Sequence, residues 1–271
     1  MSELVLGRPA SGPARPVAVA SRPARAVVMI SRCLRIGWRN AEALVTSLVL
    51  PVALLVMFVY LFGGAIRTGT AYVTYVVPGV LVLCAGFGSA LAAVRVSEDM
   101  SGGIVDRLIS MNVGGIAILA GHVVASALRN LVSSALVLGV AVAIGFRSEA
   151  SPAAWLGAAG ILLAFILAVS AVSVVIGLLV SSPEAANGAT FVLLFLPYPS
   201  SAFVPVSTMP TWLQGFARHQ PATPVIGSIR GLLLHQPLGS LPGQALAWCG
   251  GICLLSVAAS AVAFRRRALR G

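Results

Sequence analysis

Three of the seven acidic residues in this chain lie within one short stretch, SEDMSGGIVDRLISM, residues 97–111. They are Glu98, Asp99 and Asp106, and apolar sequence lies on either side of the stretch. Carboxylates concentrated in this way can form ion pairs with basic groups on another protein. The stretch is therefore a candidate contact surface, with an ordinary solvated loop as the alternative.

The second half of this stretch has helical periodicity. Gly102–Gly103 is expected to end the preceding helix, and Ser101 is placed to cap the next one. Ile104, Leu108 and Met111 then form one apolar stripe, while the charged residues face elsewhere. Such a short amphipathic helix, held parallel to a membrane, can dock into a groove on a cytosolic partner.

The chain cannot contain one common type of ATP-binding site. All 18 basic residues are arginine. A phosphate-binding loop G-x-x-x-x-G-K-[ST] needs its lysine on the terminal phosphates. The chain therefore lacks that ATP site, and we expect no cofactor in it.

Histidine and cysteine chemistry has little support. Ser89, in GFGSA, and His122 could form the pair of an intramembrane serine protease, but the expected glycine after the serine is missing. His219 has no nucleophile or carboxylate beside it, which favours a structural role. Cys249 and Cys253 are one helical turn apart without further ligands, so we interpret them as small buried hydrophobic residues. We expect no catalytic residue and no metal site.

The composition is that of a membrane protein. The chain is 58% hydrophobic and 9% charged, whereas soluble domains are about 25% charged. Several charge-free runs exceed the roughly 20 residues that a helix needs to cross the hydrocarbon core. The fold class predicted is all-α, with six transmembrane helices at 43–62, 75–94, 122–146, 156–180, 189–203 and 246–264. Four prolines are expected to bend or break these helices: Pro51, Pro78, Pro197 and Pro199.

The distribution of arginine predicts the orientation. With both termini in the cytosol, thirteen arginines fall on the inner side and four on the outer side, with Arg129 unassigned inside the third span. This bias follows the positive-inside rule. Because the arginines flank the spans and form no single patch, we expect no nucleic-acid partner.

Two segments precede the first span. Residues 1–24 are rich in proline and lack apolar periodicity, which predicts a disordered cytosolic tail. Residues 25–40 have an apolar stripe that begins at Val27, opposite a basic one, as in a helix that lies in the headgroup layer of anionic membrane lipid. Its lipid-facing anchors would be Arg32, Arg35, Trp38 and Arg39, and an ordinary solvated helix is the alternative.

Two longer stretches resemble a known family. EDMSGGIVDRLISM, followed by AGHVVASALRNLVSSALVLGVAVAIGFR, resembles the intracellular loop and third span of ABC-2 type exporter permeases, in particular the daunorubicin/doxorubicin-resistance group. VPVSTMPTWLQGFARHQPATPVIGSIRGLLL, residues 204–234, is similar to that group's extracellular segment between spans five and six. The likeness covers nearly everything after residue 25 but says little about the cargo.

The resemblance implies roles for particular residues. In such permeases the first cytosolic loop, here 95–113, forms a coupling helix in a cleft of the nucleotide-binding subunit. The coupling contacts would be Glu98, Asp99, Ile104, Asp106, Arg107 and Leu108. Segment 204–242 would dip back into the outer leaflet as short helices, with an extracellular gate formed by Trp212, His219, Gln220 and Arg230. MNVGGIA, residues 111–117, departs from relatives, which often have proline and a basic residue there, so the end of the coupling helix is not defined.

The function expected is that of the permease subunit of an ATP-driven exporter, residues 25–271, in a bacterial plasma membrane. Its partners would be a cytosolic ABC ATP-binding subunit, which holds ATP and magnesium, and a second copy or paralogue of the permease. The cargo would be an amphiphilic drug, lipid or lipid-linked glycan. The alternative is an ion-coupled multidrug transporter, which usually keeps a carboxylate inside a span; no Asp or Glu lies well inside a predicted span here.

Overall fold

A computed structural model describes residues 22–39, 41–66, 70–105, 107 and 115–268. All regular secondary structure in these residues is helical. The α-helices are α1 (Arg22–Arg39), α2 (Ala41–Met57), α3 (Tyr72–Ser101), α4 (Gly115–Ala143), α5 (Pro152–Leu179), α6 (Pro183–Phe195), α7 (Thr211–His219), α8 (Ala222–Leu233) and α9 (Leu241–Ala268). The all-α prediction is confirmed.

Four of these helices are long and apolar enough to cross a membrane. They cover Tyr72–Ser101, Ala117–Ala143, Pro152–Leu179 and Leu241–Ala263, and a shorter apolar helix covers Val49–Phe62. The four coincide with the second, third, fourth and sixth predicted spans. The first predicted span coincides with α2 and the π-helical turn Phe58–Phe62 that follows it directly.

The prediction of a fifth spanning helix over residues 189–203 is wrong. The helix here is α6, which ends at Phe195, and a run of turns follows to Phe203. Its 13 residues reach only about 20 Å at 1.5 Å per residue, less than the hydrocarbon thickness. Pro197 and Pro199, which follow the end of the helix, have no backbone N–H to continue its hydrogen bonds.

The turns continue along α3 in the same direction as α6. A Cβ added to Gly86 of α3 would lie 3.2 Å from the Leu193 carbonyl oxygen, and one added to Gly79 would lie 2.7 Å from Ala202. Gly86 and Gly79 are two turns apart, so α6 and its following turns run antiparallel to α3 over that length. Pro51 and Pro78, by contrast, lie inside α2 and α3, which continue past them.

Helix α3 is the centre of the bundle. It packs against α2, α4, α5, α6 and α8, and it is the most deeply buried of the four long apolar helices, whereas α9 is the most exposed. A large apolar cluster fills most of the bundle around α3. A smaller one, near the C-terminal end of α3, joins α1, α3, α4 and α5 through Met29, Val96, Ile118 and Val174.

Candidate functional site

The predicted coupling segment, residues 95–113, begins inside α3, whose last two turns include Glu98 and Asp99 and which ends at Ser101. The N–H of Gly102 donates to the Glu98 carbonyl at 2.9 Å, and Gly103 has a φ of +67°, a left-handed conformation that favours glycine. The chain is helical again at Ile104, and the Arg107 N–H donates to the Gly103 carbonyl at 3.1 Å. The glycine pair therefore ends one helix and starts another, as the sequence predicts.

Ser101 does not cap the helix that follows, as the sequence had suggested. Its Oγ donates backwards to the Ser97 carbonyl at 2.8 Å. Serine in the last turn of a helix often bonds to the carbonyl four residues earlier. Here that bond leaves the hydroxyl directed into α3 and away from the next segment.

Glu98 and Asp99 face different surroundings, although they are adjacent. The Glu98 side chain is 43% exposed and accepts from Arg95 at 2.8 Å, one turn earlier on α3. The Asp99 side chain is only 14% exposed, and both its oxygens accept from Arg32 of α1, at 3.1 and 3.2 Å. Because α-helical neighbours point about 100° apart, one carboxylate is presented outward and the other joins α3 to α1.

His122 of α4 completes the junction around Asp99. Its Nε2 lies 3.2 Å from Asp99 Oδ2, but the ring is not oriented for a hydrogen bond. Hydrogen bonding to Asp99 raises the pKa of Arg32 above its already high value, so the guanidinium stays charged. The junction therefore ties α3 to α1 through the Asp99–Arg32 ion pair, with His122 of α4 lying against the same carboxylate.

The residues that follow Gly103 are also divided between the surface and the interior of the bundle. Ile104 is 37% exposed, whereas Val105 is 3% exposed and belongs to the smaller apolar cluster. Arg107 is exposed. Asp106 and Leu108 lie outside the described residues. Glu98, Ile104 and Arg107 are thus the predicted contacts that the structure places on the surface.

The predicted interfacial helix is α1, and it begins three residues earlier than expected. Met29 and Cys33 are buried against α4, where a Cβ added to Gly121 would lie 3.3 Å from Cys33 Sγ. Burial raises the pKa of the Cys33 thiol. Val27, predicted to lie on the apolar stripe, is exposed, so the face that packs on the bundle differs from the stripe that the periodicity indicated.

The predicted lipid anchors on α1 fall in different places. Arg32 pairs with Asp99, and Arg35 is exposed. Trp38 and Arg39 belong to α1, but their side chains lie outside the described part of the structure. Arg32, which was predicted to face lipid headgroups, therefore contacts the helical bundle through Asp99.

A buried arginine joins the helices at the opposite end of the bundle, where α3 begins. Arg230 of α8 is 7% exposed, and its guanidinium lies 3.7 Å from the centre of the Tyr75 ring. The same group donates to the Tyr75 carbonyl at 3.0 Å and to the Ser201 carbonyl at 2.7 Å. One cation therefore joins the start of α3, the turns after α6 and α8.

The other predicted gate residues are divided between this junction and the surface. Gln220 is buried, and its Nε2 donates to the Pro199 carbonyl at 2.6 Å. Trp212 is exposed, and the His219 ring nitrogen Nδ1 lies 2.8 Å from the Gly215 carbonyl of its own helix. The structure thus brings Arg230 and Gln220 to the turns after α6, while Trp212 and His219 lie on α7.

A buried polar network that the sequence did not predict joins α3, α4 and α5. Ser170 donates to Ser126 at 2.9 Å and lies 3.1 Å from Ser89, which accepts from Asn130 at 3.2 Å. Serine and asparagine join membrane helices in this way, and their recurrence within apolar runs was the available signal. Ser89 is therefore bonded within this network, whereas His122 contacts Asp99, which is ten residues, or about 15 Å, further along α3.

The comparisons with known proteins agree with this architecture. A family model described as "ABC-2 type transporter" matches residues 25–234. The chain is 31% identical over 235 residues to the daunorubicin resistance ABC transporter permease protein DrrB1 of Streptomyces coeruleorubidus, covering 83% of each chain. It is 25% identical over 245 residues to the probable doxorubicin resistance ABC transporter permease protein DrrC of Mycobacterium tuberculosis, covering 90% of this chain and 89% of the relative. The chain therefore belongs to the ABC-2 type transporter family of membrane permeases.

Proposed function

We propose that this chain is the membrane subunit of an exporter that is driven by a separate, cytosolic ABC ATP-binding subunit. The observation that carries the proposal is the surface formed by Glu98 and Ile104 at the end of α3. Both side chains are exposed there, while their neighbours Asp99 and Val105 fasten the same segment to the bundle. A force applied to this surface would be transmitted to the central helix.

The names of the relatives support a cargo class. Both relatives are named for resistance to a drug, daunorubicin or doxorubicin. We infer that the cargo is amphiphilic: a drug, a lipid or a lipid-linked glycan, moved out of the cell. The ion-coupled alternative is less well supported, because Asp99, the half-buried carboxylate of α3, is already occupied by Arg32.

The cargo path would lie where two copies, or one copy and a paralogue, meet. Along α3, Gly86 faces α6 and Gly88 faces Asn130 of α4. Phe87 and Leu91, which are partly exposed, lie on the face between these two contacts. This face offers an apolar surface beside other exposed side chains, such as Tyr60 of the π-helical turn after α2 and Phe191 of α6.

ATP binding in the partner would close the ATPase and push on the coupling segment. Because Asp99 links this segment to α1, and Val105 packs in the apolar cluster shared with α4 and α5, the push would tilt several helices together. The two resulting states would differ in their affinity for cargo, which is the requirement for transport by alternating conformations. Magnesium and ATP would be bound in the partner subunit.

The experiment is to purify the tagged permease from its host and to identify any co-purifying ABC ATP-binding subunit by mass spectrometry. Glu98→Arg and Ile104→Glu are expected to abolish co-purification and cargo-stimulated ATP hydrolysis. Glu149→Arg is the matched control, since Glu149 is an exposed glutamate in the loop between α4 and α5. Retention of the ATPase and of transport by both test variants would show that this surface is not the coupling contact.

A further inference from the structure

A polar cavity lies between α1, α3 and α4, beside the junction around Asp99. Its volume is about 60 Å³. The arginine, carboxylate and histidine side chains that line it are Arg32, Arg95, Glu98, Asp99, His122 and Arg129. Three arginines and two carboxylates leave one positive charge without a counterpart, even when the histidine is neutral.

Arg129 is the unmatched cation. Each carboxylate is bound to another arginine, Asp99 to Arg32 and Glu98 to Arg95. Arg129 is only 7% exposed, and its Nε has no hydrogen-bond partner. Among the residues that the structure describes, no carboxylate lies within 4 Å of it. A buried charge left in this state is unfavourable unless an anion joins it.

The Arg129 side chain is expected to extend toward the end of the bundle where α3 and α4 are connected. Side chains on an α-helix lean toward its N-terminus, which for α4 is the Gly115 end. Arg129 follows His122 by two turns on α4, and both side chains line the cavity. Arg32 and Arg95, which also line the cavity, are 27% and 25% exposed. The cavity is therefore partly open to solvent beside these two residues, and Arg129 lies at its buried end.

The size of the cavity restricts the anion. One water takes up about 30 Å³ in the liquid, so 60 Å³ is room for about two waters or one small anion. A phosphate group, one phosphorus with four oxygens, is a small anion and carries the negative charge that is missing. Guanidinium groups bind phosphate oxygens through charge-assisted hydrogen bonds.

We propose that this cavity binds a phosphate group, with Arg129 as its buried ligand. The phosphate would come from the headgroup of an anionic phospholipid or from free phosphate. In the orientation expected from the arginine distribution, the lipid would belong to the inner leaflet and would hold α1 against α3 and α4. The binding itself does not depend on that orientation or on the ATPase.

The test uses the purified full-length permease without its ATPase, in detergent micelles. Thermal unfolding is followed while phosphatidylglycerol, phosphatidylcholine or inorganic phosphate is added. Wild type is expected to be stabilised by phosphatidylglycerol and not by phosphatidylcholine. Arg129→Gln is expected to bind the anion roughly tenfold or more weakly, since hydrogen bonds to a charged group contribute on that order.

Arg147→Gln is the matched control. Arg147 is an exposed arginine that donates to the Phe146 carbonyl at 2.9 Å, in the loop after α4, and its replacement should leave the anion-dependent stabilisation intact. Stabilisation by inorganic phosphate as well would identify the free ion as a ligand, and stabilisation by the lipid alone would identify the headgroup.

A structural role of Arg129 has a different signature. If Arg129 only supported the fold, Arg129→Gln would lower the melting temperature in every condition and keep the same shift with phosphatidylglycerol. That result would overturn the proposal, as would the absence of any shift with either anion in wild type. Because no ATPase is present, neither result bears on the proposed coupling function.

Discussion

Three arginines of the described helices, Arg32, Arg129 and Arg230, are surrounded by different partners, and this determines what each can do. Arg32 pairs with a carboxylate, Arg230 with two backbone carbonyls and an aromatic ring, and Arg129 with no acidic group of the described residues. A cation within an apolar bundle persists when its hydrogen bonds are met. The first two therefore stabilise the fold, and the third is available for a ligand.

Replacing Arg230 by alanine is expected to destabilise the end of the bundle where α3 begins. The substitution leaves the Tyr75 and Ser201 carbonyls without their donor and removes the cation from the Tyr75 ring. Loss of hydrogen bonds to a charged group costs about 2–3 kcal/mol, or roughly 4–12 °C of melting temperature for a chain near this size. Thermal unfolding in detergent measures it.

The control for this prediction is Arg218→Ala. Arg218 is an exposed arginine that donates to Gln214 on its own helix, α7, at 3.2 Å, and such surface contacts contribute little. Equal melting temperatures for the Arg230 and Arg218 variants would contradict a clamping role for Arg230.

At the scale of helices, close packing around α3 depends on small residues. A Cβ added to Gly177 of α5 would lie 2.8 Å from Val96 Cβ and would clash with the Ala93 carbonyl oxygen. Backbone atoms cannot move aside as a flexible side chain can, so the two helices are in contact at this point only because glycine is there. Small residues are used in this way between membrane helices in general.

Gly177→Ala is therefore expected to separate α3 from α5. Overpacking of this kind destabilises by about 1–3 kcal/mol. Gly160→Ala, on the same helix, is the matched control, because an added Cβ there meets nothing within 4 Å. Alanine is the better helix former by about 0.5–1 kcal/mol, so Gly160→Ala should leave the melting temperature unchanged or raise it. A Gly177→Ala variant as stable as wild type would show that the contact relaxes freely.

At the scale of the whole molecule, α3 connects the two ends of the helical bundle, which are held together by different polar contacts. Its 30 residues extend about 45 Å. Tyr75, which contacts Arg230, and Asp99, which pairs with Arg32, are about 36 Å apart along it. A displacement at the coupling segment can thus reach the opposite end through one continuous helix. This arrangement is suited to a machine in which a push on one side of the membrane changes access on the other.

The orientation of this axis leads to a direct prediction. With the α3–α4 connection in the cytosol, a cysteine introduced by Ser101→Cys should react with an impermeant thiol reagent only after the cells are permeabilised. A cysteine introduced by Glu149→Cys should react in intact cells, because it lies at the opposite end of α4. The native cysteines are first replaced by alanine to remove background. The reverse pattern of labelling would invert the topology and remove the coupling segment from reach of a cytosolic ATPase.

The sequence by itself determined the class of protein and most of its helices. Long apolar runs without charge can satisfy their backbone hydrogen bonds in lipid only as helices, and this places α3, α4, α5 and α9 without tertiary information. The break at Gly102–Gly103 is equally local, since only glycine readily takes the conformation found at Gly103. These features depend on neighbouring residues alone, so they can be read from the chain.

Only the tertiary structure decided which polar groups meet. Arg32 and Asp99 are 67 positions apart, and Arg230 and Tyr75 are 155 apart, so no periodicity relates them. The end of α6 at Phe195 was missed because hydropathy measures apolar character and not whether the backbone can hydrogen-bond. Contacts between distant helices depend on how the helices turn about their axes, and that rotation is set by packing in three dimensions.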